Sequence, residues 1–455
     1  MTVLLPFQAK AVRRIGRFNL RNLIAHDMGL GKSLTSLTAA SENGAWPAVV
    51  VCPASLKWNW EREAKIHLRL RAEVLEGRKP RAGSLTKRKL VIVNYDILGA
   101  WLPWLKGDVD PELVIVDESQ LIANRNSKRT KWVRLLCQDV PCVLALSGTP
   151  LVNRPPELWP TVNLLWPKEF PGFWAFCQEF TVPRRTPWGW DFKRSRNLDV
   201  LHDRLKRAGM LRKRKSQVLK DLPEKQREIL LLPVDNRRDY DHAEDDFLAW
   251  LKKRDKTKVR KAKRAQRLVQ MGWLKRLAAE GKMPSVLEWI ENFLEGSDEK
   301  LVVMAVHKSV IKAIHDRWRK ISVVVDGSVT GRKRQLAVDQ FNKRKDTRLF
   351  IGNIKAAGVG LSITGASTMA VVELPWTPGA CSQAEDRIHG ISRGIEGIPT
   401  SIFYLVARNT IESKLIQLIQ EKQDVLDQTL DGKIGAGGFD ILDRLEAMMQ
   451  KGALV

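Results

Sequence analysis

Residues 26–33, with the sequence HDMGLGKS, constrain the fold of this chain more than any other stretch. A short apolar run at residues 22–25 precedes them, and a helical pattern at residues 34–40 follows them. A strand, a glycine-bearing loop and a helix in this order form the context that a phosphate-binding loop requires. The sequence therefore predicts a nucleotide-binding α/β domain whose first strand ends at this loop.

The residue types in this loop suit the binding of a nucleotide. The glycines let backbone N–H groups approach phosphate oxygens, and the helix that follows directs its positive end toward the anion. We expect the lysine to contact the β and γ phosphates and the serine hydroxyl to contact Mg²⁺. The predicted ligands are Met28, Gly29, Leu30, Gly31, Lys32 and Ser33. A turn with an exposed lysine is the alternative, because His26 stands where the general pattern has glycine.

The charge of the chain points to a polyanionic partner. Lys and Arg total 77 against 51 Asp and Glu, which gives a net charge of +26 and a pI near 10.0. Nucleic acid is the first candidate, and a protein that is merely basic and soluble is the alternative. A length of 455 residues allows roughly two to three domains.

The cysteines and the N-terminus bear on metal sites and location. The five cysteines are scattered and form no CxxC pair, which argues against structural zinc and for a reducing compartment. Residues 1–16 lack the apolar core of a signal peptide, and no apolar run reaches the roughly 18 residues of a membrane span. We expect a cytoplasmic protein of a bacterial or virus-infected cell, or a nuclear protein if the source is eukaryotic.

Further apolar runs indicate a parallel sheet in the first half. They lie at residues 48–52, 90–93, 113–116 and 143–146, with helical patterns between them. In such a sheet the functional residues lie at the carboxyl ends of the strands. Asp117 and Glu118 follow the third run, where the Asp can hold Mg²⁺ and the Glu can orient the attacking water. Ser147 and Thr149 follow the fourth run and can sense phosphate through hydrogen bonds.

These motifs, taken in order, resemble a known family. The series consists of Gln8, AHDMGLGKS, VVCPASLKWNW, VIVNYDIL, IVDESQ and LALSGTP. It resembles the first RecA-like domain of superfamily 2 ATPases, in particular the SWI/SNF-type DNA translocases. Their loop usually reads Asp-Glu-Met-Gly-Leu-Gly-Lys-Thr, so the histidine position is no obstacle. Residues 210–226 resemble the linker of the annealing-helicase, or fork-remodelling, branch.

The resemblance covers most of residues 1–430 and implies two RecA-like α/β domains with helical insertions between them. We expect an ATP-binding domain at 1–205, which includes a helical, aromatic insertion at about 155–200. A linker and basic helical protrusion occupy 206–295, the helicase C-terminal domain 296–430, and a glycine linker with a final helix 431–455. Strands of the second sheet are predicted at 301–306, 321–325, 348–351, 368–373 and 401–406.

The resemblance also implies nucleotide contacts outside the loop. Gln8 would contact the adenine edge. Gly358, Gly360 and Gln383 would lie on the nucleotide side of the second domain, and Gln383 to His389 are expected on one helix. Arg387 would be an arginine finger on the γ-phosphate. Gly390 replaces a second finger, and Arg393 is a candidate substitute for it.

Two sets of residues are predicted to contact DNA. Family position implies backbone contacts by Lys57, Asn94, Tyr95, Ser147 and Thr149. Residues 252–267 read KKRDKTKVRKAKRAQR and form a helical pattern too charged to be core. From this helix we expect phosphate contacts by Lys252, Lys253, Arg254, Arg260, Lys261 and Arg264. A merely exposed helix is the alternative.

The aromatic insertion has two readings. Its side chains are interleaved with Arg184, Arg185, Lys193, Arg194 and Arg196, so they can stack on bases. They can also form a small core, which is the favoured reading for most of them. The aromatic residues are Trp159, Trp166, Trp174, Trp188, Trp190, Phe170, Phe173, Phe176 and Phe180.

Together these features predict a monomeric DNA-dependent ATPase that uses ATP and Mg²⁺. It would translocate on double-stranded or forked DNA and remodel DNA or nucleoprotein, as in fork regression, reannealing or repair. A helicase that separates DNA or RNA strands is one alternative. A basic DNA-binding scaffold, with an ATPase weakened at Gly390, is the other.

Overall fold

The computed structural model describes residues 3–78, 89–150, 154–186, 189–219, 225–252, 260–329, 331–357, 361, 363–389, 399–430 and 441–452. The chain forms two compact units, one mainly of residues up to 222 and the other mainly of residues from 223 onward. Each unit is built on one parallel sheet. No helix within these ranges is long and apolar enough to cross a membrane.

The first unit contains seven parallel strands and an antiparallel hairpin. The sheet strands are β1 (Arg21–Ile24), β2 (Ala48–Cys52), β3 (Ala72–Val74), β4 (Leu90–Asn94), β5 (Leu113–Asp117), β6 (Cys142–Leu146) and β9 (Met210–Leu211). The hairpin strands are β7 (Thr181–Thr186) and β8 (Gly189–Ser195). The order in the sheet is β3-β4-β2-β5-β6-β1-β9. The carboxyl ends of all seven strands therefore lie at one edge.

Helices cover both faces of this sheet. They are α1 (Pro6–Arg17), α2 (Lys32–Glu42), α3 (Lys57–Leu68), α4 (Leu98–Trp104), α5 (Lys128–Cys137), α6 (Trp159–Leu165), α7 (Phe173–Phe180), α8 (Leu198–Ala208) and α9 (Lys215–Val218). Successive strand residues point to opposite faces, so Val49 and Val51 belong to one apolar core and Val50 to the other. Burial on both faces explains why these strands are continuous apolar runs.

The insertion differs from the helical one that the sequence predicted. It contains α6 and α7, but the hairpin β7–β8 follows them. Trp159, Phe170, Phe176 and Phe180 are buried, as the small-core reading requires. Trp174 and Trp190 are instead 39% and 50% exposed. The hairpin was not predicted, because its strands are rich in charged and aromatic residues and do not show a clear alternation of apolar and polar residues.

The second unit contains a six-stranded parallel sheet. Its strands are β10 (Lys225–Leu232), β11 (Leu301–Ala305), β12 (Ser322–Val325), β13 (Leu349–Asn353), β14 (Thr368–Val371) and β15 (Thr400–Ala407), in the order β10-β15-β14-β11-β13-β12. Five of them lie where the sequence predicted strands. The two-sheet α/β fold is thus confirmed. The domain boundaries proposed from the sequence remain predictions.

The helices after residue 223 include the predicted basic and C-terminal helices. They are α10 (Arg237–Lys252), α11 (Arg260–Gly281), α12 (Met283–Gly296), α13 (Lys308–Arg317), α14 (Gly331–Lys343), α15 (Ile354–Ala357), α16 (Pro378–Glu385), α17 (Ile411–Leu430) and α18 (Ile441–Gly452). A buried ion pair joins Lys282, between α11 and α12, to Glu412 at the start of α17.

Glu385, the last residue of α16, ties this helix to strands β10 and β15. Lys225 donates to Glu385 at 2.8 Å and to Asp386 at 2.7 Å. Arg227 donates to both Glu385 oxygens at 2.8 and 2.7 Å, and the Tyr404 hydroxyl donates at 2.7 Å. Burial alone raises the pKa of Glu385, but the two cations and their hydrogen bonds outweigh it and lower the pKa to about 2.

Replacing Glu385 with Gln should destabilise the second unit in a pH-dependent way. The folded pKa lies below the ordinary value of 4.5, so the ionised carboxylate stabilises the fold above about pH 4.5 and loses this effect as the pH falls toward 2. We expect Glu385→Gln to lower the free energy of unfolding by about 3 kcal/mol at pH 7. Urea denaturation at several pH values measures this.

Glu228→Gln is the matched control, because Glu228 is exposed on the same strand. It should change the unfolding free energy little at any pH. A loss in Glu385→Gln that stays constant from pH 7 to pH 3 would contradict the role of the charge.

Candidate active site

The loop at residues 26–31 connects β1 to α2 in the way the sequence predicts. Gly29 and Gly31 have φ values of 78° and 68°, in the left-handed region that favours glycine. A Cβ at Gly31 would lie 2.5 Å from the Gln8 side-chain nitrogen. The first amides of α2 have no partner within the helix and carry its positive end. The loop therefore has the local geometry of an anion-binding site.

Lys32 and Gln8 both hydrogen-bond to the loop. The Lys32 ammonium donates to the carbonyls of His26 at 2.8 Å and Asp27 at 3.1 Å. The Gln8 amide donates to the Leu30 carbonyl at 3.2 Å, and Gln8 is only 3% exposed. Gln8 thus fastens α1 to the loop, while its predicted adenine contact remains a prediction.

A segment distant in sequence supports the loop from the side of β9. The backbone N–H of Asp27 donates to the Lys213 carbonyl at 3.0 Å, and the N–H of Lys215 donates to the Asp27 carboxylate at 3.0 Å. Arg212 donates to the Ala25 carbonyl at 3.2 Å. The sequence assigned this segment to a linker. No sequence pattern within the segment indicated that it supports the loop.

His26 is neutral and buried beneath this loop. Its side chain is 2% exposed, and within the described part of the chain neither ring nitrogen has a hydrogen-bond partner. Burial first, and then the nearby cations Lys32, Lys213 and Arg212, together lower its pKa to about 3. Its ring packs edge-on against Phe7, with centroids 6.3 Å apart. The position therefore adds no charge to the loop.

Asp117 and Glu118 lie at the carboxyl end of β5, at the same sheet edge as the loop. Asp117 is 8% exposed. Its carboxylate accepts from the Trp60 indole N–H at 2.8 Å and from the Glu118 backbone N–H at 2.9 Å. Burial and the charge of Glu118 raise the pKa of Asp117, while Trp60 and the Lys32 ammonium lower it. A buried carboxylate with a second carboxylate beside it suits a neighbouring cation.

A hydrogen-bonded chain runs from Glu118 to the end of β6. The Gln120 amide donates to Glu118 at 2.6 Å, and the Ser147 hydroxyl donates to the Gln120 carbonyl oxygen at 2.7 Å. The Ser147 oxygen accepts from the Thr149 N–H at 3.1 Å. Glu118 has a φ of 52°, a strained value for a non-glycine residue that clusters at functional sites. Ser147 and Thr149 are thus connected to the acidic pair.

Helix α3 supplies residues that the sequence analysis missed. Trp60 is 1% exposed and orients Asp117. Glu63 forms side-chain hydrogen bonds with Ser33 and Asn59, and the Asn59 contact measures 3.1 Å. One helix therefore contacts both predicted magnesium ligands, Ser33 and Asp117. The stretch NWERE at residues 59–63 contains both Trp60 and Glu63, but its spacing alone does not show which side chains reach the site.

Three predicted DNA contacts are placed in the interior. Lys57 is 7% exposed and donates to the Leu75 carbonyl at 2.6 Å, and burial lowers its pKa. Tyr95 is 2% exposed, and its hydroxyl donates to the Asp117 carbonyl at 2.6 Å. Asn94 is 5% exposed. Lys57 and Tyr95 thus make hydrogen bonds within the unit, and the contacts of all three residues with DNA remain predictions.

The predicted residues of the second unit are only partly described. Helix α16 ends at Glu385, so Arg387 lies in the following turn and not on the predicted longer helix. Its Nε donates to the Gln383 carbonyl at 3.1 Å. Gly358, Gly360, Gly390 and Arg393 lie outside the described residues.

The basic stretch is also described in part. Lys252 ends α10, and Arg260, Lys261 and Arg264 lie on α11. Lys253 and Arg254 lie outside the described residues. Among the residues that are described, no group of three or more His, Cys, Asp or Glu side chains could hold a metal ion.

Several known proteins are similar to this chain over most of its length. It is 32% identical over 434 residues to the SWI/SNF-related matrix-associated actin-dependent regulator of chromatin subfamily A-like protein 1 of Xenopus tropicalis, covering 93% of this chain and 45% of that protein. It is 30% identical over 453 residues to the DNA annealing helicase and endonuclease ZRANB3 of Mus musculus, covering 95% of this chain and 41% of that protein. The chain spans less than half the length of these relatives.

One similar solved structure is the Sulfolobus solfataricus SWI2/SNF2 ATPase core in complex with dsDNA. It has 22% identity and a TM-score of 0.44, and the match covers 95% of this chain and 94% of that chain. The fold is assigned from the two sheets described above and not from this similarity.

Two family descriptions match consecutive parts of the sequence. Residues 14–282 match the SNF2-related domain, and residues 283–392 match the helicase conserved C-terminal domain. The first match alone covers more than half of the chain. The chain therefore belongs to the SNF2-related family of helicase-type ATPases.

Proposed function

We propose that this protein is a DNA-dependent ATPase that couples ATP hydrolysis to translocation on double-stranded DNA. The observation that carries the proposal is the shared sheet edge of Lys32, Asp117 and Glu118. Strands β1 and β5 are separated only by β6, so the phosphate-binding loop and the acidic pair follow parallel strands two positions apart in the sheet. A lysine, an Asp and a Glu in this relation suit hydrolysis of a nucleoside triphosphate.

The residues present fit a magnesium ion. The Asp117 carboxylate is buried, its charged form is disfavoured by burial and by Glu118, and a cation would offset both effects. Oxygen donors from Asp117 and Ser33 are the ligand type that Mg²⁺ prefers. When bound, the ion neutralises charge on the phosphates. Ser33 and Asp117 would hold it, and Trp60 and Glu63 would orient these two ligands.

Glu118 would act on the attacking water. Its carboxylate is fixed by the 2.6 Å hydrogen bond from Gln120, so it can orient the water and accept its proton. The link from Gln120 to Ser147 would transmit a change at this carboxylate to the end of β6. Arg387 of the second unit would stabilise the charge on the γ-phosphate, a contribution worth roughly 10³ to 10⁵ in rate.

Charge and relatives support DNA as the partner. The net charge of +26 favours binding to a polyanion, and α11 begins with a cluster of basic residues. One relative is named an annealing helicase, which supports remodelling of forked or paired DNA without lasting strand separation. We place fork regression, reannealing and repair among the settings in which such a translocase would act.

ATP turnover with different nucleic acids tests the proposal. We expect double-stranded or forked DNA to stimulate hydrolysis, and we expect Lys32→Ala and Glu118→Gln to lower the stimulated rate about 100-fold or more. Single-stranded DNA and RNA are the comparison substrates. A wild-type rate equal to that of Glu118→Gln would favour the scaffold, and release of labelled strands from blunt duplexes would favour a strand-separating helicase.

Replacing Trp60 with Phe tests the orientation of Asp117. Phe keeps an aromatic ring but removes the N–H that donates to the carboxylate at 2.8 Å. We expect the Mg²⁺ concentration for half-maximal binding of a fluorescent ATP analogue to rise about tenfold, as for other partners of metal ligands. Trp58→Phe on the same helix is the control, and thermal unfolding checks both variants. An unchanged Mg²⁺ dependence would remove Trp60 from this role.

Replacing Arg260, Lys261 and Arg264 together with Ala tests the basic helix. Each lost phosphate contact should lower the slope of log affinity against log salt by about 0.9 on duplex DNA. Fluorescence anisotropy with a labelled duplex at several salt concentrations measures the slope. A slope identical to that of the wild type would show that α11 does not contact DNA.

A further inference from the structure

Helix α7 and the hairpin β7–β8 carry an exposed pair of tryptophans that has no role in the candidate active site. Trp174 of α7 and Trp190 of β8 contact each other, with ring centroids 4.7 Å apart and ring planes at 67°. These side chains are 39% and 50% exposed, whereas neighbouring aromatic residues of the insertion are buried. Exposing two indole rings is unfavourable for an isolated fold. The pair therefore requires an explanation outside the core.

The pair packs against further aromatic rings. Phe192 packs against Trp174 at 5.7 Å and against Phe173 at 5.9 Å, and Phe173 packs against the buried Trp159 at 5.4 Å. The Arg125 guanidinium lies 4.0 Å from the Phe173 ring. A continuous series of ring contacts thus connects the exposed pair to the core of the first unit.

The base of the hairpin is fixed by hydrogen bonds to α7. The Thr181 hydroxyl donates to the Cys177 carbonyl at 2.5 Å, and the Arg196 guanidinium donates to the carbonyls of Gln178 and Glu179. The side chain of Asn197 donates to the Glu179 carbonyl at 2.9 Å. Arg196 is therefore structural, which separates it from the other arginines of the hairpin.

Two of those other arginines, Arg185 and Arg194, lie on the face of the hairpin that carries Trp190, whereas Arg184 is the cross-strand partner of Asp191 on the opposite face. Arg184, Arg185 and Arg194 are exposed, and within the described residues none of them forms an ion pair. Arg185 is the direct cross-strand partner of Trp190, so the two side chains share one face of the hairpin. Exposed rings beside unpaired cations are complementary to bases beside phosphates.

We propose that the hairpin and α7 form a binding surface for unpaired DNA bases, with Trp174 and Trp190 stacking on bases and Arg185 and Arg194 contacting phosphates. Inside a duplex the base faces are covered by neighbouring pairs, so only a base outside a helix can stack on these rings. The surface would thus recognise the single-stranded part of a fork or gap. It deepens the proposed function, on which it rests for the choice of DNA.

Equilibrium binding without ATP tests this surface in the full chain. The probes are labelled oligo-dT, a fork with single-stranded arms, a blunt duplex and oligo-U. We expect Trp174→Ala/Trp190→Ala to weaken binding to oligo-dT and to the fork by at least about tenfold while duplex affinity is unchanged. Arg185→Ala/Arg194→Ala should lower the salt slope on oligo-dT by about 1.4, since each lost contact is worth about 0.7.

Ile66→Ala is the control, because Ile66 is an exposed apolar residue of the same unit, 58% accessible on α3. It should leave all affinities unchanged, and thermal unfolding verifies that every variant is folded. Unchanged oligo-dT affinity in the tryptophan variant, or an equal loss on duplex and oligo-dT, would overturn the inference. Tighter binding of oligo-U than of oligo-dT would overturn its assignment to DNA. Failure of the wild type to bind any DNA would instead refute the proposed function itself.

Discussion

The first unit depends on keeping one carboxylate buried at the end of a parallel strand. Asp117 is 8% exposed, and its charged form is disfavoured by burial and by Glu118. The protein offsets this with an indole N–H from α3, a backbone N–H and the ammonium of Lys32 nearby. None of these neutralises the pair fully. A cation at this site would offset the remaining charge, as the proposed magnesium nucleotide would.

The second unit solves the same electrostatic problem differently. Two of its buried carboxylates form ion pairs with buried or half-buried cations: Glu385 with Lys225 and Arg227, and Glu412 with Lys282. Paired charges of this kind hold elements in register, and they leave little affinity for a further cation. Glu385 fixes the end of α16, and Arg387 lies two residues beyond it. The ion pairs of Glu385 thus fix the end of the helix that precedes Arg387, the residue proposed as an arginine finger.

Sequence patterns predicted the parts of the fold that repeat a simple rule. All-apolar runs bounded by helical patterns predicted ten strands of the two main sheets within about one or two residues, because burial on both faces leaves a continuous signal. Strands β3, β9 and β10 were not predicted, since β3 and β9 are very short and β10 has an exposed, charged face. The loop and the acidic pair could be predicted because each is a short, continuous motif. The contributions of Trp60, Glu63 and residues 211–215 could not be predicted, because only tertiary packing brings them to the site.

His26 shows why an unusual residue is compatible with the loop. The cations that surround it, Lys32, Lys213 and Arg212, belong to the loop and its support, and together with burial they keep the imidazole neutral. A charged histidine would add a fourth cation to this cluster. The neutral ring instead fills space against Phe7, while the backbone carbonyl of the same residue accepts from Lys32. The side chain at this position is thus constrained by packing, and the functional contact is made by the backbone, which any residue provides.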